Sequence, residues 1–277
     1  MGLFSQITHL LTRLISQPYT WPALDITLPG GRYLHLVGSI HMGTPNMAPL
    51  PPRLLSRLDK ADALIVEADI TTSASPFTEP VIPLAPLSER LSESQWQTLS
   101  GLAENLHLSL ASLDNLPLWQ VALMLQAFQA RQLGLSPDYG IDVQLLEAAH
   151  EVNLPVRELE GATSQLSLLE QLPDDGRELL ADTLTHWHTN ARLLQLMMSW
   201  WLDNPPSAKD LVLPNTFSND LYDVLMLSRN RQWYDYLHRL PPGRYVVAVG
   251  ALHLYGEGNL PGLLKLPPDS AKMSYPQ

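Results

Sequence analysis

Two histidines near opposite ends of the chain stand in the same short setting, Val37-Gly38-Ser39-Ile40-His41 and Val249-Gly250-Ala251-Leu252-His253. Each follows an apolar run, Arg32 to Val37 and Arg244 to Val249, rich enough in Val, Leu and Tyr to read as a buried strand. A Gly-x-x-His at a strand end delivers an imidazole into a crevice, where Gly38 and Gly250 permit positive φ or the close approach of another group. One such motif is weak, because a lone buried histidine is more often a hydrogen-bonded core residue than a ligand. Two at matching junctions point to one shared site.

Carboxylates lie at corresponding places. Ala63-Leu64-Ile65-Val66 is a continuous apolar run of the kind covered on both faces, and it ends in Glu67. Val156-Arg157-Glu158-Leu159-Glu160 repeats the pattern before Gly161. An acid at the end of a buried strand is costly unless paired or bound to a cation. Arg229 falls on the apolar stripe Leu221, Leu225, Trp233, Tyr236, Leu240 of a long last helix, where a guanidinium wants a carboxylate or ligand oxygen, and Asn230 adjoins it. Asp142 sits in the first turn of the helix Val143 to Glu151, a position the helix dipole alone explains.

Together His41, Glu67, Glu160 and His253 suit a borderline divalent ion such as Zn, Mn, Co or Fe, and mixed N and O donors do not choose among them. Three protein ligands leave room for an activated water, whose proton an unligated glutamate takes while Arg229 or Asn230 stabilises an oxyanion. The reaction class is metal-assisted hydrolysis. The serine-hydrolase elbow, the phosphate loop, the dinucleotide fingerprint and His-Glu-x-x-His are all absent from the sequence.

Composition narrows the field. Of the 277 residues, 45% are hydrophobic and 16% charged, which predicts a well-packed globular chain, read here as a single domain over 1–277. A net charge of −11 offers no footprint for nucleic acid or for an anionic membrane. There is no cysteine, so any metal is held by His, Asp or Glu. Residues 1–18 space Leu3, Ile7, Leu10, Leu11 and Leu14 helically between polar residues, which reads as an amphipathic helix on the body rather than a signal peptide or a membrane span. Cytoplasm is the default location, with periplasm or peripheral membrane contact as minority readings.

These residues need a particular frame. An entry strand over Leu24 to Leu28 turns through Pro29-Gly30-Gly31 into the strand ending at His41. Arg53 to Lys60 is a helix, Ala63 to Val66 a strand, and 70–87 a Ser/Pro-rich excursion that could cover the site. Helical periodicity follows over Leu91–Leu102, Ser109–Asn115 and Leu118–Leu133. Beyond the strand Pro155 to Glu160 it resumes over Thr163–Leu172, Gly176–Asp203 and Ser218–Leu240. The stretch Leu193 to Leu202 is apolar nearly all round, so it is deeply buried or part of an interface, and a homodimer through it is compatible with either role for the site. The tail 267–277 reads as frayed. The fold class is α/β, a mixed central sheet flanked by helices, with helical insertions at 88–150 and 163–240.

The ordered set Gly38-Ser39-Ile40-His41, Pro49-Leu50-Pro51, Ala61 to Glu67, Gly140-Ile141-Asp142, Leu159-Glu160, Arg229-Asn230 and Val249 to Leu254 resembles the TraB/PrgY/GumN family over about Tyr19 to Leu264. That family is related to the membrane-tethered Tiki metalloproteases that act on Wnt, and to an erythromycin esterase/ChaN-like superfamily of α/β folds. The resemblance implies that His41, His253 and Glu67 form a metal-dependent catalytic centre. Glu160, Asp142, Arg229 and Asn230 match further family positions. It implies a Mn- or Co-dependent peptidase or amidase, with Zn as another metal and a peptide or protein as substrate. Other relatives reduce pheromone activity, which cleavage or capture would equally achieve, so a non-catalytic peptide-binding protein with the same pocket is the alternative. A scaffold using the Met197 to Trp201 surface is a third reading.

Overall fold

Gly30 and Gly31 both take left-handed φ, 79° and 75°, and so turn the chain between β1 (Ala23–Leu28) and β2 (Arg32–Ser39) into an antiparallel hairpin. In the computed structural model, which describes residues 19–71, 84–203, 205–206 and 213–266, that hairpin forms one edge of a five-stranded sheet. The other strands are β3 (Ala63–Val66), β4 (Val156–Glu158) and β5 (Gly243–Gly250), in the spatial order β1-β2-β5-β3-β4. All neighbours except β1 and β2 run parallel. The expected mixed α/β sheet is therefore present. The predicted N-terminal helix, the frayed tail and residues 72–83 of the expected lid lie outside the described residues.

Central parallel strands need covering on both faces, and every residue of β3 is buried, as are Tyr245 to Val249 of β5, whereas the edge strand β4 has Arg157 and Glu158 exposed. Leu64, Ile65 and Val247 are each fully enclosed, worth about 1.5–3 kcal/mol apiece. A first core packs helix Ile141–Glu151, helix Ser228–Arg239 and part of helix Trp187–Leu202 around this sheet. A second core belongs to the helical insertions, joining Leu99, Leu113, Leu118, Val121, Leu180 and Leu221.

Of the apolar stretch at 193–202, Leu193, Met197, Trp200 and Trp201 are buried while Leu196 and Leu202 are exposed, and the Trp201 indole N–H donates to the Gly38 carbonyl at 3.0 Å. This helix thereby docks on the end of β2. Three details differ from the expected elements. The helix expected from Gly176 to Asp203 divides at His186 into Arg177–Thr185 and Trp187–Leu202. The last long helix is interrupted by a π-turn, Asp223–Leu227, between Asn219–Tyr222 and Ser228–Arg239. The extra residue in that turn shifts the buried stripe, so Met226, Trp233, Tyr234 and Leu237 face inward while Leu225 and Tyr236 are only half-buried. Finally, β5 gives way to a short helix, Ala251–Tyr255, which holds His253.

Candidate functional site

The C-terminal ends of β2, β5, β3 and β4 lie along one edge of the sheet, and each leads into a residue singled out by the sequence. Neither motif glycine uses positive φ. What they provide is approach: a Cβ on Gly38 would lie 3.3 Å from the Ala251 Cα, tying the two Gly-x-x-His turns together, while the Gly250 N–H donates to Glu67 Oε1 at 2.7 Å.

The loop after β2 is held chiefly by backbone contacts. Ile141 N–H donates to the Ile40 carbonyl at 2.9 Å, and Gly43 and Ser136 exchange bonds of 2.9 and 2.8 Å. No Cβ would fit here: one on Gly140 would stand 2.4 Å from the His41 carbonyl oxygen, and one on Gly43 would stand 2.1 Å from that of Tyr139. This contact sets the first turn of helix Ile141–Glu151 beside His41, so that Asp142 Oδ2 lies 2.8 Å from His41 Nδ1. The attraction is electrostatic more than directional, because Asp142 Oδ2 lacks hydrogen-bond geometry to any partner. Asp142 is buried, whereas 69% of the His41 side chain is exposed. The Asp142 charge raises the His41 pKa, and solvent over the ring screens part of that pull.

Arg229 binds the second group together. Its Nη2 donates to Glu67 Oε2 at 2.5 Å, its Nε to Glu160 Oε1 at 2.8 Å, and Nη2 again to Glu160 Oε2 at 3.1 Å. Nη1 lies 3.1 Å from the Leu225 carbonyl, inside the π-turn, and 3.2 Å from His253 Nε2. The guanidinium carbon sits 4.7 Å from the Trp233 ring centroid. Burial works to raise the Glu67 pKa, but Arg229 and the surrounding groups bring it down to about 2. Gln165 adds a further donor at 3.2 Å to Oε2.

His253 is buried and, chiefly through burial, held neutral with a pKa lowered to about 3. A guanidinium can only donate, so Nε2 accepts from it and Nδ1 carries the proton. That proton goes to Asn230 Oδ1 at 2.7 Å, and Asn230 is itself fully enclosed and donates to the Gly258 carbonyl at 3.1 Å. Asn230 thus fixes the His253 tautomer.

His41, Glu67, Arg229 and His253 line the polar end of a cavity of about 490 Å³. Leu123, Leu193, Met197, Phe217 and Leu225 contribute its apolar walls. All the residues named from the sequence therefore meet at this edge, although Glu160 reaches the cavity only through Arg229. Gln165 was missed, and Trp233, Leu193, Met197 and Leu225 were read as core or interface residues and not as surroundings of the site. The π-turn that aims Arg229 leaves no periodicity by which it could have been found.

The donors expected for a metal are the right kinds, but those of Glu67, Glu160 and His253 are engaged. Arg229 occupies Glu67 Oε2, both Glu160 oxygens and His253 Nε2, and Gly250 takes Glu67 Oε1. Among the described residues no group of three or more His, Asp or Glu side chains is placed so that it could hold a metal ion. As arranged, Glu67, Glu160 and His253 fit a guanidinium rather than a divalent ion, and His41 stands beside Asp142 instead.

A mixed sheet with paired Gly-x-x-His turns converging on buried glutamates is accompanied by a match to the TraB/PrgY/gumN family over residues 24–267, and the chain belongs to that family. It is 59% identical over 266 residues to YbaP of Escherichia coli (strain K12), covering 96% of this chain and 100% of that one, and equally to YbaP of Shigella flexneri. Among the described residues no helix is long and apolar enough to cross a membrane.

Proposed function

We propose that the chain is a hydrolase acting on a carbonyl centre, with a peptide or another amide as its substrate class, and that the cavity above Glu67, Arg229 and His41 is where it acts. The observation that carries this reading is the pairing of an exposed histidine backed by a buried aspartate with a fixed guanidinium at the same cavity. Asp142 holds His41 at Nδ1, leaving Nε2 for a water molecule or a leaving group. In its neutral form His41 takes a proton from water as the oxygen bonds to the carbonyl carbon, then returns it to the amine as the C–N bond breaks. Arg229, immobilised by Glu67 and Glu160, keeps its charge beside the oxyanion that develops. Asn230 acts through His253 as a positioning residue. The apolar walls favour a substrate with a hydrophobic side chain next to the scissile bond.

The test is digestion of a peptide library rich in hydrophobic residues, read by mass spectrometry. Protein stripped of metals is compared with the same protein given Mn, Co or Zn, alongside His41→Gln. Cleavage by the stripped protein that disappears in His41→Gln supports this reading. Cleavage only after metal is restored supports the Mn- or Co-dependent peptidase, in which Arg229 has to leave Glu67. Saturable peptide binding without cleavage under any condition supports a sequestering protein.

A further inference from the structure

At the opposite end of the parallel strands lies a second cavity, of about 550 Å³, that owes nothing to the site above. Its floor is formed by the first residues of β2 and β5, where Tyr33 pairs with Arg244 and Leu34 with Tyr245. Its wall is one face of helix Pro52–Leu58 and the turn after it, because Arg53, Ser56, Arg57 and Lys60 recur at steps of three, four and seven. Four cations therefore surround one cavity in a chain whose net charge is −11, and Asp25 is the one acid in its lining.

Asp25 does not neutralise them. It takes a bidentate pair from Arg57 at 3.0 and 3.1 Å, a bond from His35 Nδ1 at 2.8 Å, and the Tyr19 hydroxyl. The Trp21 indole N–H donates to His35 Nε2 at 3.2 Å, so the ring is a neutral donor toward Asp25. One carboxylate is thereby saturated and one guanidinium compensated. Arg53 and Lys60 are exposed and make no ion pair among the described residues, and Arg244 lies 5.9 Å from the half-exposed ring of Tyr33. Asp62 engages the backbone N–H of Arg244 and not its guanidinium.

We propose that this cavity is a binding site for a multiply charged phosphate group, carried by a molecule of about nucleotide size, with Arg53, Lys60 and Arg244 as its ligands and the Tyr33 ring as an apolar neighbour. Forked guanidinia and an ammonium set around an open cavity match the several oxyanion charges of a phosphate ester or anhydride. The same chemistry occurs in a free phosphorylated small molecule and in an anionic lipid headgroup.

Calorimetric titration of the full chain with inorganic pyrophosphate and with ADP, and sedimentation with phosphatidylglycerol or phosphatidylcholine vesicles, test it. The double variant Arg53→Gln/Arg244→Gln and the control His41→Gln are run in parallel, with circular dichroism to verify the fold. Saturable binding that weakens by at least ~10-fold in the double variant and is unchanged in His41→Gln is the expected result. Binding confined to phosphatidylglycerol vesicles would name the headgroup as the source, and binding of ADP or pyrophosphate a free phosphate. Absence of saturable binding by every probe, or affinity that the double variant leaves intact, overturns the proposal.

Discussion

Arg229 lies 2.5 Å from Glu67, 162 residues earlier in the chain, and the same guanidinium reaches Glu160 at 2.8 Å. One largely enclosed cation thus bridges two acids from the ends of adjacent strands, β3 and β4, and leaves the trio one negative charge in excess. Removing it strands two charges. Arg229→Met is expected to cost about 3–5 kcal/mol in urea denaturation, whereas Glu67→Gln/Glu160→Gln/Arg229→Met, which removes all three charges, costs much less. A single variant within about 1 kcal/mol of the parent would show that the carboxylates find other partners.

Asp142→Asn removes the charge beside His41 while leaving the backbone clamp in place. The His41 titration, followed by NMR, is expected to move down toward the ordinary histidine range. Where peptide cleavage is found, the alkaline rise of kcat/KM moves to lower pH with it. An unmoved titration would mean that Asp142 serves the helix end and not the histidine.

Asn230→Ala leaves the His253 Nδ1–H without its acceptor in a closed space. The loss is expected to be about 1–3 kcal/mol, and nitrogen-15 NMR should show His253 losing its single tautomer. Retention of one Nδ1–H species would assign tautomer control to Arg229 alone.

Acid lability follows from two groups. The His253 pKa is lowered to about 3, so protons bind the unfolded chain preferentially and stability declines as pH falls below the ordinary histidine pKa of about 6.5. Glu67, lowered to about 2, contributes stability that is present above its ordinary pKa of 4.5 and is lost as pH falls toward about 2. His41, raised by Asp142, has the opposite sign and loses its smaller, solvent-screened contribution as pH rises through its folded-state pKa. Midpoints of urea unfolding between pH 8 and pH 4 should therefore fall, with His253→Asn flattening the upper part of that decline. A flat profile in the parent would contradict the buried, neutral state of His253.

Gly140→Ala drives a methyl group against the His41 carbonyl. A stability loss of about 1–3 kcal/mol is expected, with loss of any His41-dependent activity, while amide exchange in β3 and β5 stays near parental. Parental activity in this variant would show that the clamp does not set the position of His41.

What could be read from the sequence was whatever left a local periodicity. The run Ala63 to Val66 announces a doubly covered strand because four successive apolar residues have no polar face to offer, and the structure ends β3 at Val66. The paired histidine turns were legible for the same reason. Their different fates were not: His41 projects into solvent while His253 is enclosed, a distinction made by Trp233 and Asn230 packing from a distant helix. Glu67 and Glu160 were recognised as acids needing a partner, but that the partner is one arginine depends on the β3–β4 pairing, which no local pattern encodes. The basic cavity was hidden most completely. Arg53, Arg57 and Lys60 are an unremarkable helix face until β5 brings Arg244 to it, so a net negative charge concealed a locally positive surface.

The sheet places its last-made strand in the middle. During synthesis β1 with β2, and β3 with β4, are complete long before Gly243 leaves the ribosome, and each pair must wait with an unsatisfied edge on the side that β5 will fill. The C-terminal residues are thus a keystone: until they insert, Glu67 has no Gly250 N–H, His253 is not in place, and neither cavity has its β5 wall.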